Sequence, residues 1–375
     1  MPGRSKRVKT LWWGVPLVLA LSLGGLLCTA AKHGPTGPSQ EATGVIDPDA
    51  HDIRYVGRFN FEDRKKAVFD WPGVSISATF EGTRCAVRLR GGGNLYAVSV
   101  DGGNPSVLAT DTGSVYTVCQ GLPDTAHTVC IRKRTEAFVG KAEFLGFILD
   151  RGKKLLAQDA GTDRRMEVIG NSITCGYGVE GTSASCTFSK ETEDASKSYA
   201  AIVAEDLDAD VSLVAYSGRG VVRNYGDKNK TSPEPMPDLY DRTCCYDSTG
   251  KWDFTRWVPQ AVVINLGTND FSTQPHPDKA VFQDAYIRLI GRIQGLYAGA
   301  KVFCVCGPMI GEPCLGYIRE AVTQLRNGGE AVYFIEVKSS IMTSADWGCD
   351  WHPNVKGQRK IAGVITPVIR DAMGW

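Results

Sequence analysis

Met166-Glu167-Val168-Ile169-Gly170-Asn171-Ser172-Ile173-Thr174 is the stretch on which the reading of this chain turns. Four residues that suit a buried strand run into a glycine, and a hydroxyl follows at once. The pattern returns at Ala261-Val262-Val263-Ile264-Asn265-Leu266-Gly267-Thr268-Asn269-Asp270, where a carboxamide follows the strand. In open α/β sheets, ligands bind at the edge where strands end. A third island, Asp350-Trp351-His352-Pro353-Asn354, sets a histidine ahead of the last helical segment. A serine, a base and an uncharged donor on separate segments point to acyl transfer.

Around these islands strands and helices alternate from about residue 165. Val211 to Ala215, Lys301 to Cys306 and Val332 to Val337 read as strands, and Ser217-Gly218-Arg219-Gly220 reads as a turn. Helices are expected near Ser196 to Leu207, from Asp278, near Tyr317 to Arg326 and from Asn354. Such alternation predicts a parallel sheet covered by helices on both faces. Upstream the period is two: Val74, Ile76, Ala78 and Phe80 alternate with Ser75, Ser77, Thr79 and Glu81. Gly82-Thr83 then turns the chain, and further short alternating runs continue to about Leu149, which predicts an antiparallel β sandwich.

The 375 residues leave room for two domains, and 43% hydrophobic composition supplies a sizeable core. A formal net charge of +1 gives no electrostatic basis for nucleic-acid binding. Arg4, Lys6, Arg7 and Lys9 precede an uncharged run from Leu11 to Ala31. Thr29-Ala30-Ala31 offers a cleavage site, so residues 1–31 read as a secretory signal. The run is also long enough for a membrane anchor, and Cys28 raises a lipoprotein reading against bulky Leu26-Leu27. Each alternative places the body of the protein outside the cytoplasm. Residues 32–50, rich in Pro, Gly and small polar residues, read as a linker. The expected domains are then 51–157 and 158–375.

Twelve cysteines suit export, and their spacing does not suit a metal: there is no Cys-x-x-Cys and no His-x-x-x-His. No metal and no cofactor is expected. Cys175 and Cys186, flanking a Gly/Ser-rich loop, are expected to form a disulfide. Arg132, Lys133 and Arg134 read as a solvated strand face or a domain contact.

Each island alone is a common turn. Their order resembles the SGNH (GDSL-type) hydrolases, serine esterases with a flavodoxin-like three-layer α/β sandwich. Gly170-Asn171-Ser172-Ile173-Thr174, Gly218, Gly267-Thr268-Asn269-Asp270 and Asp350-Trp351-His352 are similar to their four blocks. Trp71-Pro72-Gly73, Lys133-Arg134-Thr135-Glu136 and Gly146-Phe147 resemble the N-terminal jelly roll of carbohydrate esterase family 2. Cys175-Gly176-Tyr177-Gly178 and Asp350-Trp351-His352-Pro353-Asn354 are similar to that family's variants of the blocks. The resemblance implies removal of O-acetyl groups from plant polysaccharides such as xylan and glucomannan, and the chain is expected to act as a monomer. It makes Ser172 the nucleophile and His352 the base, with the N–H groups of Ser172 and Gly218 and the amide of Asn269 as the oxyanion hole.

The chain departs from the superfamily in one place that matters. The catalytic Asp usually stands three residues before the His, and here that residue is Cys349, with Asp350 only two before. Two arrangements follow: a triad through the Asp350 carboxylate, or a dyad in which a backbone carbonyl of 349 or 350 orients His352. Trp351 reads either as a sugar-stacking residue or as a core aromatic, and Tyr177 and Tyr225 are candidate cleft residues. Two rival functions stand beside the esterase. One is a carbohydrate-binding protein without catalysis; the other is an SGNH lipase or thioesterase, which the Ser/Thr-rich 181–195 loop disfavours.

Overall fold

The computed structural model describes residues 44–158 and 161–375. The segment read as signal or anchor, and most of the linker, lie outside the described residues. The described residues form one compact unit.

Its first part is antiparallel. In chain order the strands are β1 (Val45–Ile46), β2 (Ile53–Val56), β3 (Ala67–Phe69), β4 (Ser75–Gly82), β5 (Cys85–Arg90) and β6 (Leu95–Val100). They continue as β7 (Ser106–Ala109), β8 (Val115–Cys119), β9 (Thr125–Lys133), β10 (Ala142–Leu149) and β11 (Leu155–Leu156). One sheet runs β1-β10-β5-β8 with β3 also on β10; the other runs β11-β4-β9-β6-β7 with β2 also on β4. The alternation read in the sequence is real: Ile76, Ala78 and Phe80 point inward to Val129, Ile131, Phe144 and Phe147, all in one buried cluster.

Val45 and Ile46 fall inside the segment read as linker, yet they pair with Ile148 and Phe147 as β1. The reason lies at Gly146, which has φ +111°. Any side chain there would strike the Ile46 carbonyl, so glycine lets an extra strand close on β10. Two residues among Pro, Gly and Asp carry too little pattern to announce a strand.

The second part holds β12 (Arg165–Gly170), β13 (Asp210–Ala215), β14 (Ala261–Asn265), β15 (Lys301–Cys306) and β16 (Val332–Glu336) in a parallel sheet of order β13-β12-β14-β15-β16. The helices are α1 (Ser172–Cys175), α2 (Tyr199–Asp206), α3 (Met236–Leu239), α4 (Thr268–Phe271), α5 (Lys279–Leu296), α6 (Cys314–Asn327) and α7 (Val355–Met373). Ser198 caps α2 and Asn354 caps α7 through their side-chain oxygens, which satisfies N–H groups that a helix start leaves free. Helices α2 and α7 cover one face with Val203, Ile361, Ile365 and Ile369. Helices α5 and α6 cover the other with Phe282, Ile293, Ile318 and Val322. Because β12 is flanked by β13 and β14, the strand order reverses beside it. That switch point opens a crevice at the carboxyl ends of these three strands.

The two parts are fastened by buried polar contacts. The Trp71 indole donates to the Thr243 carbonyl at 3.0 Å, and Asp70 accepts from the N–H of Cys245 at 2.8 Å. Arg58 reaches Glu167 on β12 at 3.2 Å and lies over the Tyr240 ring. Lys133 and Arg134 belong to this contact: both are buried, whereas Arg132 is half-buried.

Candidate active site

Ser172 is the first residue of α1, directly after β12. The turn is tight because a Cβ on Gly170 would collide with the Thr174 side chain. Asn171 caps α1, its Oδ1 accepting the Ile173 N–H at 3.1 Å. The Ser172 N–H, at the start of that helix, has no partner within it.

His352 arrives from the segment before α7. Its Nε2 lies 2.8 Å from Ser172 Oγ, and its Nδ1 lies 3.0 Å from the backbone carbonyl oxygen of Asp350. A carbonyl only accepts, so Nδ1 carries the proton and Nε2 presents its lone pair to the serine hydroxyl. Burial pulls the His352 pKa below the ordinary histidine value, with the carbonyl and the Asp350 charge opposing it.

The Asp350 carboxylate is turned away. It accepts from the Tyr177 hydroxyl at 2.9 Å and from the Phe188 N–H at 3.1 Å. Side chains two apart share a side only in extended chain. Here residues 349–351 form a tight turn, with the His352 N–H on the Cys349 carbonyl at 3.1 Å. Asp350 and Trp351 both take left-handed backbone, at φ +50° and +59°. Asp350 therefore reaches the base through its main chain, and the triad through its carboxylate is not formed.

Left-handed backbone at Trp is costly and persists only where the surroundings impose it. Those surroundings are the 181–188 loop. The Asp350 N–H donates to the Cys186 carbonyl at 2.8 Å, and the Trp351 N–H to the Ala184 carbonyl at 3.1 Å. A disulfide joins Cys186 to Cys349 with Cα atoms 4.5 Å apart. The expected Cys175–Cys186 bond is thus corrected. Cys175 ends α1 as a buried free thiol, while Cys186, on the 181–188 loop, is bonded to Cys349 in the turn that carries His352. The cysteine standing where a carboxylate is usual ties that loop down.

Gly218 and Asn269 follow β13 and β14. Gly218 takes φ +79°, a conformation that favours glycine, and its N–H donates to no group among the described residues. The Asn269 Nδ2 donates to the Arg219 carbonyl at 2.8 Å, which leaves its second N–H for a ligand. The Asp270 carboxylate accepts the N–H groups of Val221, Val222 and Arg223 at 2.9, 2.8 and 3.0 Å. Ser172 is 9% exposed, Asn269 is buried and Gly218 is half-buried, so these donors are largely shielded from solvent.

The rim is aromatic. Tyr177 packs on His352 at 4.4 Å and stacks on Phe188 at 4.0 Å between ring centres. The series continues through Phe138 and Tyr216 to Tyr246. Trp351 is 64% exposed beside the base, so its core reading is ruled out; Tyr225, which donates its N–H to the Gly218 carbonyl, is also exposed. Sequence reasoning missed Phe138, Phe188, Tyr216 and Tyr246, which carry no motif. It also missed Glu136, a β-domain residue whose carboxylate accepts from Ser217. The only signal was its place in Lys133-Arg134-Thr135-Glu136, noted for its resemblance to the family's N-terminal jelly roll and given no role at the site. Among the described residues no group of His, Cys, Asp and Glu is arranged to hold a metal.

Comparison with known proteins agrees with this architecture. Residues 55–158 match the family Carbohydrate esterase 2 N-terminal, and residues 168–360 match the GDSL-like Lipase/Acylhydrolase family. The chain is 39% identical over 339 residues to the cellulase/esterase CelE of Acetivibrio thermocellus, covering 88% of this chain and 40% of that protein's length. An acetylxylan esterase / glucomannan deacetylase of Cellvibrio japonicus is 28% identical over 82% of this chain and 86% of its own. The structure of a family two carbohydrate esterase from Clostridium thermocellum, in complex with cellohexaose, superposes with a TM-score of 0.80. It is 38% identical and covers 86% of this chain and 99% of that one. With the N-terminal family match, the GDSL-like match and a solved relative covered over 99% of its chain in agreement, the chain belongs to carbohydrate esterase family 2, within the GDSL-type hydrolases.

Proposed function

We propose that this chain is a serine esterase that removes O-acetyl groups from polysaccharides of the acetylxylan and acetylated glucomannan kind. The observation that carries this reading is the 2.8 Å approach of His352 Nε2 to Ser172 Oγ, with Nδ1 held by a carbonyl. Ser172 Oγ attacks the acetyl carbonyl carbon as its proton passes to Nε2. The tetrahedral oxyanion accepts from the N–H groups of Ser172 and Gly218 and from the Asn269 amide. Collapse returns the proton to the departing sugar oxygen and leaves acetyl on Ser172. Water then attacks along the same route, and acetate leaves. Each preorganised donor is worth about 10²–10³ in rate, because the charge it meets exists only near the transition state.

The substrate class is supported by the names of the relatives above and by the shape of the rim. Trp351, Tyr225 and Tyr246 are exposed aromatic side chains, which suit the apolar faces of pyranose rings. An extracellular destination belongs to the same proposal. The Cys186–Cys349 bond supports it, because a reducing cytosol disfavours such bonds.

Acetate release from acetylated xylan and acetylated glucomannan, by wild type and by Ser172→Ala, tests the reading. Release by wild type alone is expected. A folded wild-type protein that binds these glycans but hydrolyses neither them nor p-nitrophenyl acetate would be a binding module instead.

A further inference from the structure

The Ser217–Gly218 turn is held from two sides by carboxylates, and one of them comes from the other domain. On the downstream side Asp270 gathers the N–H groups of Val221, Val222 and Arg223. On the upstream side Glu136, fully buried just beyond β9, accepts the Ser217 N–H at 2.7 Å and also the Ser217 hydroxyl. Glu136 is itself fixed. Its N–H donates to Glu193 Oε2 at 3.1 Å, and its carbonyl accepts from Lys133 Nζ at 3.1 Å. The Lys133 ammonium also donates to the Thr135 carbonyl at 2.6 Å, closing the segment around one buried cation.

We propose that Glu136 is a positioning residue for catalysis: from the β domain it sets the Ser217–Gly218 turn so that the Gly218 N–H meets the developing oxyanion. This makes the sandwich a working part of the site, and it rests on the esterase reading given above.

Three physical points support it. Gly218 lacks a side chain to anchor it, so its N–H direction depends on its neighbours: Asn269 holds the Arg219 carbonyl after it, and Glu136 holds Ser217, whose carbonyl carbon carries that N–H, before it. A buried carboxylate is costly, and two of them, Glu136 and Glu193, lie together in this contact; burial raises both above the usual carboxylate range, with Lys133 opposing. A pairing that served adhesion alone would be as stable with apolar residues. Oxyanion donors, finally, must be placed within a few tenths of an ångström, because their value depends on not having to reorganise.

The test compares purified full-length variants on p-nitrophenyl acetate, with thermal melting and inhibition by a boronic acid, whose tetrahedral serine adduct occupies the oxyanion site. Glu136→Ala should lower kcat by about 10², with KM within about threefold, and weaken boronate inhibition in parallel. Glu136→Gln, which keeps an acceptor for the Ser217 N–H, should recover most of the loss. Trp71→Phe removes a domain contact that does not touch Ser217, so it should lower the melting temperature while kcat stays near wild type.

If Glu136→Ala does not fold, Glu136→Asp, whose shorter side chain withdraws the carboxylate from Ser217, and Ser217→Ala form the test. The double variant should be no worse than the more impaired single one, since both act through one contact. Wild-type kcat and boronate affinity in a folded Glu136→Ala, or additive losses in the double variant, would overturn the positioning role alone. A wild-type protein that hydrolyses no acetyl ester would overturn the esterase reading with it.

Discussion

The Nδ1 of His352 and the main-chain oxygen of Asp350 are 3.0 Å apart, while the carboxylate of the same Asp350 is spent on Tyr177 and Phe188. One residue thus serves the base with its backbone and braces the base loop with its side chain. The arrangement fixes the tautomer, but a neutral carbonyl stabilises the imidazolium less than a carboxylate does.

Asp350→Asn separates the two roles. Asn tolerates left-handed backbone and keeps the carbonyl, so kcat/KM should fall no more than about tenfold. A loss on the order of 10⁴, as in an enzyme that depends on its carboxylate, would show that the side chain orients the base after all.

In the proposed mechanism Ser172 and His352 act on one proton, across the 2.8 Å between Oγ and Nε2. Ser172→Ala and His352→Ala should each cut kcat by at least about 10³, and the double variant should lose little more. Steady-state rates on p-nitrophenyl acetate, with folding checked by circular dichroism, decide it. Losses that multiply would mean independent roles.

The pH profile carries a signature of desolvation. Burial lowers the His352 pKa below 6.5, so the neutral, proton-accepting form persists to lower pH than in a free histidine. Activity should fall as pH drops through that lowered value, giving kcat/KM an acid limb with its midpoint below 6.5. A midpoint above 6.5 would contradict the desolvated site.

The Cys186–Cys349 bond closes a span of 163 residues and pins a strained turn. Cys186→Ser should reduce unfolding stability by about 2–4 kcal/mol. It should also lower kcat by about tenfold, since even small displacement of the base is costly. Peptide mapping without reduction checks the bond itself; a Cys175–Cys186 peptide would count against this connectivity.

The fold was largely legible because its signals are local. Val74 to Glu81 alternates on a period of two, and Val168-Ile169 and Val262-Val263-Ile264 are apolar on both faces, as β12 and β14 buried between helices require. Asp278 and Asn354 mark helix starts at positions the structure uses. Val45-Ile46 was not legible, because its pairing depends on Gly146, a hundred residues along the chain.

The sequence alone placed the candidate groups: Ser172, His352, Gly218 and Asn269 each stand beside a strand end or helix start that local pattern locates. Tertiary structure decided how those groups are held. Whether Asp350 offers a carbonyl or a carboxylate depends on φ at two residues, and the 181–188 loop imposes those angles from more than 160 positions away. The partner of Cys186, the exposure of Trp351 and the grip of Glu136 on Ser217 depend likewise on which distant segments meet. Periodicity reports what a residue's immediate neighbours want; a hydrogen bond across two domains leaves no mark in either neighbourhood.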